Sequence, residues 1–175
     1  MKTKALLISC CCFICHMAGY GQQAQNTQAQ TPEEEAIAMV TQIYSEVSGT
    51  SEEAVDWDKV RSFFVEEAVV VLRTSREATS LFTVEEFIQD FKTFYQSPRL
   101  GDSGFKEEVL QLEAEVYHDM AFVAVVYAAS ILDSDRPAQK GIDFWLLIRK
   151  NDSWKVVSIT NEIVPPDGKL PGIFD

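Results

Sequence analysis

The C-terminal half of the chain contains three apolar stretches: AFVAVVYAASI (Ala121–Ile131), IDFWLLI (Ile142–Ile148) and WKVVSITNEI (Trp154–Ile163). β-Branched and aromatic residues dominate each stretch, and short polar segments separate them, which is typical of strands joined by tight turns. The preceding half of the chain has helical patterns instead. A group of helices followed by a run of antiparallel strands predicts an α+β domain.

Three helix starts are recognisable upstream of these strands. Thr31–Glu34 (TPEE) and Thr83–Glu86 (TVEE) are capping boxes, in which a threonine and a glutamate three residues later satisfy free backbone N–H groups. Asp56 is a candidate N-cap for a helix between them that extends through Phe64. The β-branched run Ala68–Leu72 predicts one short strand between the second and third helices.

A further strand is predicted just before the three apolar stretches. Its apolar residues occupy every second position, which places them on the core face: Leu110, Leu112, Ala114 and Val116. Its acidic residues alternate with them and are expected on the solvent face: Glu113 and Glu115.

The N-terminus resembles an export signal. Two lysines, an apolar run and small residues fill positions 1–21, and the run is shorter than the roughly 20 residues that span a bilayer. All four cysteines lie within positions 1–21. We expect residues 22–31 to form a glutamine-rich tether, 32–164 to form one domain, and 165–175 to form an irregular tail. We therefore expect an exported, periplasmic or extracellular protein, with lipidation at Cys10 as the less favoured alternative.

The composition excludes several functions. The net charge of −12 disfavours binding to nucleic acid or to an anionic membrane surface. One histidine, His118, remains after the signal, and the acidic residues show no ligand spacing, so no metal site is predicted. The sequence has no phosphate-binding loop and no nucleophile elbow, and no cofactor is expected.

The order of these elements resembles the NTF2-like superfamily, which includes SnoaL-like cyclases and ketosteroid isomerases. The resemblance covers about residues 32–164 and rests on weak motifs such as Phe64–Val70, Gly141–Asp143 and Asn151–Val157. It implies a cone in which three N-terminal helices pack on a curved antiparallel sheet. It also implies an apolar pocket between helices and sheet, and in many members a homodimer formed through the sheet.

Compared with the isomerase branch, this chain has two of three site groups. Tyr44 matches the tyrosine and Asp143 the late aspartic acid that together form an oxyanion hole in that branch. The position of the base falls on Leu72, which cannot accept a proton. From the residues alone, Tyr44 on its apolar helical stripe is more typical of a core tyrosine, and Asp143 could face solvent. If Asp143 faces inward, burial predicts that it is neutral at pH 7.

Three functions are compatible with these features. The preferred one is binding of a small hydrophobic molecule in a pocket with an aromatic lining: Trp57, Phe87, Phe91, Tyr127 and Trp145. The second is a lyase, isomerase or cyclase that uses Tyr44 and Asp143 as hydrogen-bond donors. The third is a dimerising interaction domain without catalysis. Asn161 and Glu162, near the end of the last strand, could face the mouth of a pocket.

Overall fold

The computed structural model describes residues 29–73, 77–100, 103–165 and 167–174, so the predicted signal peptide and most of the tether lie outside it. The helices are α1 (Pro32–Glu46), α2 (Trp57–Ser62) and α3 (Val84–Tyr95). The strands are β1 (Phe64–Arg73), β2 (Thr79–Thr83), β3 (Phe105–Tyr117), β4 (Met120–Ile131), β5 (Gln139–Lys150) and β6 (Ser153–Ile163). The predicted α+β class is confirmed.

Each helix begins where its cap was predicted. The Thr31 hydroxyl accepts a hydrogen bond from the Glu34 N–H at 3.2 Å, and the Glu34 carboxylate accepts one from the Thr31 N–H at 2.8 Å. Thr83 opens α3 in the same reciprocal way, and Asp56 accepts from the N–H three residues later. Among the described residues, no helix is long and apolar enough to cross a membrane.

The strands form one curved sheet in the order β2-β1-β6-β5-β4-β3. All neighbouring pairs are antiparallel except β1 and β6, which are parallel. The prediction of a wholly antiparallel sheet is therefore wrong at this pair. No hairpin joins β1 to β6, so the connections between them leave their relative direction open.

Two further details of the N-terminal half differ from prediction. Strand β1 begins at Phe64, not Ala68, so Phe64 belongs to the sheet and α2 ends at Ser62. Strand β2 was not predicted, because its five residues, TSLFT, form a short edge strand with only a weak apolar alternation.

The three helices cover the concave face of the sheet, and the main hydrophobic core lies between them. Strand residues on this face alternate with residues that point to the opposite, convex face. On β5, for example, Trp145 and Leu147 are buried in the core, whereas Leu146 and Ile148 are exposed on the convex face.

Two β-bulges change which residues face the core. In β3 the pairing with β4 skips Leu110, and in β6 the pairing with β5 skips Val157. An extra residue reverses the alternation beyond it. Odd-numbered residues of β3 therefore face the core before Leu110, and odd-numbered residues of β6 face it after Val157.

The C-terminal tail, predicted to be irregular, includes a 3₁₀ turn at Gly172–Phe174 that lies against the convex face. The buried Phe174 ring packs with Ala124, Val126 and Ile142 in a second, smaller hydrophobic cluster. The Gln111 side-chain amide donates a hydrogen bond to the Phe174 carbonyl at 2.9 Å. The tail thus covers one end of the convex face and leaves the other end exposed.

Candidate functional site

A cavity of about 160 Å³, here called the inner cavity, lies between the helices and the concave face. Its lining comes from α1, β1, α3, β3, β4, β5 and β6. The residues are Ile43, Tyr44, Val47, Leu72, Arg73, Phe87, Phe91, Glu107, Tyr127, Asp143, Trp145, Ile159 and Asn161. The wall is mainly aromatic and aliphatic, with a small number of polar groups, as is usual for small-molecule sites.

Tyr44 and Asp143 meet on this wall, 99 positions apart in the sequence. The Tyr44 hydroxyl donates a hydrogen bond to Asp143 Oδ2. Asp143 is 7% exposed and shares the concave face with Trp145, so the alternative that it faces solvent does not hold. The tyrosine and the aspartate form one buried unit.

Asn161 completes a polar network around Asp143. Its Nδ2 donates to Asp143 Oδ1 at 2.7 Å and to the Tyr127 hydroxyl at 2.8 Å. Its Oδ1 accepts from the Arg73 backbone N–H at 3.2 Å, which fixes the orientation of the amide group. Asp143 and Asn161 are direct neighbours across β5 and β6, so the contact follows from the register. We call Tyr44, Tyr127, Asp143 and Asn161 the Asp143 network.

Tyr127 reaches this network because its cross-strand neighbour is a glycine. Tyr127 on β4 pairs with Gly141 on β5. A side chain at Gly141 would overlap the Tyr127 phenol ring and hydroxyl, so only glycine lets the ring lie across β5 towards Asn161. The Gly141–Asp143 segment, noted in the sequence as a weak motif, therefore shapes the site at two positions.

Glu107 is a second carboxyl group of the inner cavity, and the sequence pattern did not identify it. The bulge at Leu110 places Glu107 on the concave face of β3, whereas the alternation further along the strand would have placed it outside. Its side chain makes no hydrogen bond to another described residue. Its backbone N–H donates to the Ser48 hydroxyl at 2.9 Å, which links β3 to the end of α1.

The two carboxyl groups differ in acidity. Burial raises the pKa of Asp143 to about 6, although hydrogen bonds from Tyr44 and Asn161 lower it. Burial, and then the charge of Asp143, raises the pKa of Glu107 to about 8. At pH 7 Asp143 is therefore mainly ionised and Glu107 mainly protonated. The prediction that Asp143 is neutral at pH 7 is not supported, because its two hydrogen-bond donors partly offset the effect of burial.

One hydrogen-bond donor of the cavity wall, the Tyr127 hydroxyl, is available to a ligand. The indole N–H of Trp145 is completely buried and interacts with the Tyr44 hydroxyl, so a ligand does not reach it. The Tyr127 hydroxyl accepts from Asn161 and donates to none of the described groups, and burial raises its pKa, so it keeps its proton. Buried donors normally find an acceptor, and an oxygen atom of a bound molecule would supply one.

Most of the aromatic residues predicted for the pocket lie on its wall. Phe87, Phe91, Tyr127 and Trp145 line the inner cavity, and their contact with a ligand stays a prediction. Trp57 lines neither this cavity nor the adjoining one. Its ring packs on Phe91 and Tyr95, and its N–H donates to the Glu52 carbonyl at 3.2 Å, because the short α2 directs it into the core.

A larger space, here called the outer cavity, adjoins the inner one. It has a volume of about 370 Å³ and shares Phe91, Glu107 and Tyr127 with the inner cavity. Besides apolar side chains, its wall holds two arginines, Arg99 and Arg136, and the carboxyl groups of Asp90 and Glu107. The two cavities are therefore direct neighbours, with Phe91, Glu107 and Tyr127 between them.

The remaining candidate residues from the sequence do not belong to the Asp143 network. Leu72 lines the inner cavity, so the position of the isomerase base is within the site but holds an aliphatic group. Glu162 forms an exposed ion pair with Arg73 at 2.8 Å. His118 lies in the exposed turn between β3 and β4, where its backbone has a φ of 54°.

No family model and no curated protein matches the chain. Solved structures do match. A proposed dehydratase of the NTF2-like family from Streptomyces avermitilis is 13% identical with a TM-score of 0.60, over 76% of this chain and 96% of that one. An NTF2-like protein of unknown function from Shewanella baltica is 15% identical with a TM-score of 0.51, over 78% and 99%.

The protein has an NTF2-like fold. The yeast Ubp3-associated protein Bre5 also matches, with 13% identity and a TM-score of 0.57 over 78% of this chain and 98% of that one. At such low identity the similarity concerns the fold alone, because NTF2-like folds, like other widely used folds, can carry unrelated sites. The function has to be argued from the cavity.

Proposed function

We propose that the protein binds a small, largely apolar molecule that carries a hydrogen-bonding oxygen atom. The main support is the Asp143 network, which places an ionised carboxylate and a free tyrosine hydroxyl on the wall of an aromatic cavity. Buried polar groups are costly unless they are paired. A ligand oxygen that accepts from the Tyr127 hydroxyl would therefore gain both affinity and orientation.

The size of the inner cavity restricts the ligand. Its volume of about 160 Å³ is close to that of an apolar cavity of about 150 Å³ that holds benzene in another protein. One six-membered ring fits this space, and any longer substituent would extend into the outer cavity. Phenol, 4-ethylphenol and acetophenone are suitable probes, since each combines one ring with one oxygen.

The experiment is a thermal-shift screen of the full mature protein with these probes, followed by calorimetry. A probe present at about 100 times its dissociation constant should stabilise the protein by about 2.7 kcal/mol. Asp143→Leu is expected to weaken 4-ethylphenol binding by about 1.5–3 kcal/mol, because the phenol hydroxyl would lose the Asp143 carboxylate as its hydrogen-bond acceptor. Asp143→Asn retains hydrogen-bonding atoms and should weaken binding distinctly less.

Phe144→Leu is the matched control, because Phe144 is the next residue of β5 and is exposed on the convex face. It should leave the affinity unchanged. Binding that is equally strong in wild type and Asp143→Leu would show that the Asp143 network is not the site, and absence of binding by every probe would count against the proposal itself.

An acid–base enzyme is the second candidate, favoured by the two carboxyl groups of different acidity on one cavity wall. The structural neighbour proposed to be a dehydratase agrees with this class of chemistry. Leu72 removes the base of the ketosteroid isomerases, so Glu107 or Asp143 would have to move the proton. Protein-dependent exchange of the acetophenone methyl protons with solvent deuterium would favour this candidate over binding alone.

We also propose that the exposed end of the convex face pairs with a second copy of the chain. Large apolar side chains lie side by side there: Tyr117, Met120, Leu146, Ile148 and Val157. Exposed apolar patches of this kind mark interaction surfaces. Leu146→Glu places a charge at their centre and should convert a dimer to a monomer in light scattering. A monomeric wild-type protein would contradict this proposal.

We further propose that the protein acts outside the cytoplasm. The support is the lysine, apolar and small-residue pattern of positions 1–21, which lies outside the described residues. The mass of the mature N-terminus tests this: cleavage near Gln22 is expected, and an intact Met1 or a lipidated Cys10 would contradict cleavage there.

A further inference from the structure

Two arginines at the outer cavity lack the ion pairs that the other described arginines form. Arg61, Arg73 and Arg149 each form an ion pair with a carboxylate. Arg99 and Arg136 form none within the described ranges, and both line the outer cavity. Both side chains are exposed, so water hydrates them and their guanidinium groups are available to an anion at this cavity.

The two arginines come from separate segments that converge at this cavity. Arg99 lies in the connection between α3 and β3, and Arg136 lies in the turn between β4 and β5. The rest of the wall is partly apolar, with Phe94, Phe105 and Ile131, and partly polar, with Asp90, Glu107, Ser130 and Gln139. A concave, partly apolar surface with two guanidinium groups is suited to an amphipathic anion, since arginine binds carboxylates with two parallel hydrogen bonds.

We infer that the ligand is a small amphipathic carboxylic acid, with its ring in the inner cavity and its carboxylate held by Arg99 and Arg136 in the outer cavity. This inference rests on the proposed binding function and adds the charge of the ligand to it. A carboxylate fits better than a phosphate, because the Asp90 carboxylate also lines the outer cavity and would repel a doubly charged group more strongly.

The negative net charge of the protein restricts the places where an anionic ligand can bind. With a net charge of −12, most of the surface repels anions. An anionic ligand would therefore bind only where positive side chains are locally in excess. The two unpaired arginines provide such a place in the cavity next to the inner one, and a molecule that passes between Phe91, Glu107 and Tyr127 would contact both the Asp143 network and the arginines.

The test uses ω-(4-hydroxyphenyl)alkanoic acids of increasing chain length and the primary amide of each, measured by titration calorimetry with the full mature protein. The best acid is expected to bind at least about tenfold more tightly than its amide, the equivalent of one charge-assisted hydrogen bond. In the Arg99→Gln, Arg136→Gln double variant, acid and amide should bind equally, and the amide affinity should match wild type.

An unchanged affinity for the amide would show that the double variant is folded. Arg61→Gln removes one positive charge away from both cavities, within an exposed ion pair with Glu85, and should leave the preference for the acid intact. Equal binding of acid and amide to wild type would overturn the inference and leave the binding function standing. A preference for the acid that survives in the double variant would also overturn it. No binding of either compound would count against both proposals.

Discussion

Trp154→Ala is expected to lower the free energy of unfolding by about 3–5 kcal/mol, as truncations of buried aromatic residues do. Trp154 is 4% exposed, and its indole N–H donates to the carbonyl of Pro32, the first residue of α1, at 3.1 Å. The Arg149 guanidinium lies 4.8 Å from the ring centre and also pairs with Glu35 of α1. The ring thus joins the β5–β6 hairpin to the first helix.

Urea denaturation followed by circular dichroism measures this loss. Trp154→Phe is the matched control, since it keeps an aromatic ring but removes the hydrogen bond to Pro32, and it should be clearly less destabilising than alanine. The alanine variant would contradict the packing described above if it cost less than about 1 kcal/mol, the usual range for a surface substitution.

The stability of the wild-type protein is expected to fall by about 2 kcal/mol between pH 6 and pH 8, and Glu107→Gln should remove most of this fall. The pKa of Glu107 is raised from an ordinary value of 4.5 to about 8 by burial and by the charge of Asp143. Between these values the folded protein keeps the proton, whereas the unfolded chain releases it.

The direction in which stability changes with pH follows from proton linkage. The folded state binds more protons than the unfolded state in this range, so rising pH favours unfolding. The contribution of Glu107 is complete below pH 4.5 and is lost as the pH rises through about 8. Asp143 contributes with the same sign, but its pKa of about 6 confines most of its effect to lower pH.

Chemical denaturation at intervals across this pH range tests the prediction. Glutamine preserves the shape of the protonated side chain but cannot ionise, so the variant should be nearly insensitive to pH above 6. Glu113→Gln is the control, because it makes the same exchange at an exposed position of the same strand, and it should retain the wild-type slope. A wild-type stability that is constant or rises with pH would refute a protonated Glu107.

Local sequence signals predicted those elements whose formation depends mainly on neighbouring residues. The capping threonines, the β-branched stretches of β4 to β6 and the polar turns between them each depend on neighbouring residues. The pairing of Tyr44 with Asp143 could be anticipated from the resemblance to the isomerases. The parallel pairing of β1 with β6 could not, because it depends on how distant segments pack.

Glu107, which the sequence missed, and Asn161, which it left uncertain, share one cause. Counting alternate residues back from Leu112 places Glu107 on the outer face, and counting forward from Trp154 places Asn161 there too. The bulges at Leu110 and Val157 reverse both assignments. A bulge leaves little trace in composition, since Leu110 and Val157 are ordinary apolar residues, although both are exposed at 47% and 39%.

The bulges also bear on how such a cavity can diverge in evolution. Loss of the single residue Leu110 would leave Val109 and Gln111 adjacent, opposite Tyr127 and Val126, so β3 would alternate regularly with Glu107 still facing the cavity. If Leu110 instead took a regular place in the pairing, Glu107 would turn outward, and Lys106 and Glu108 would turn inward. The charge lining the cavity therefore depends on which residue of β3 is left unpaired, and a change of pairing would exchange that charge without any substitution.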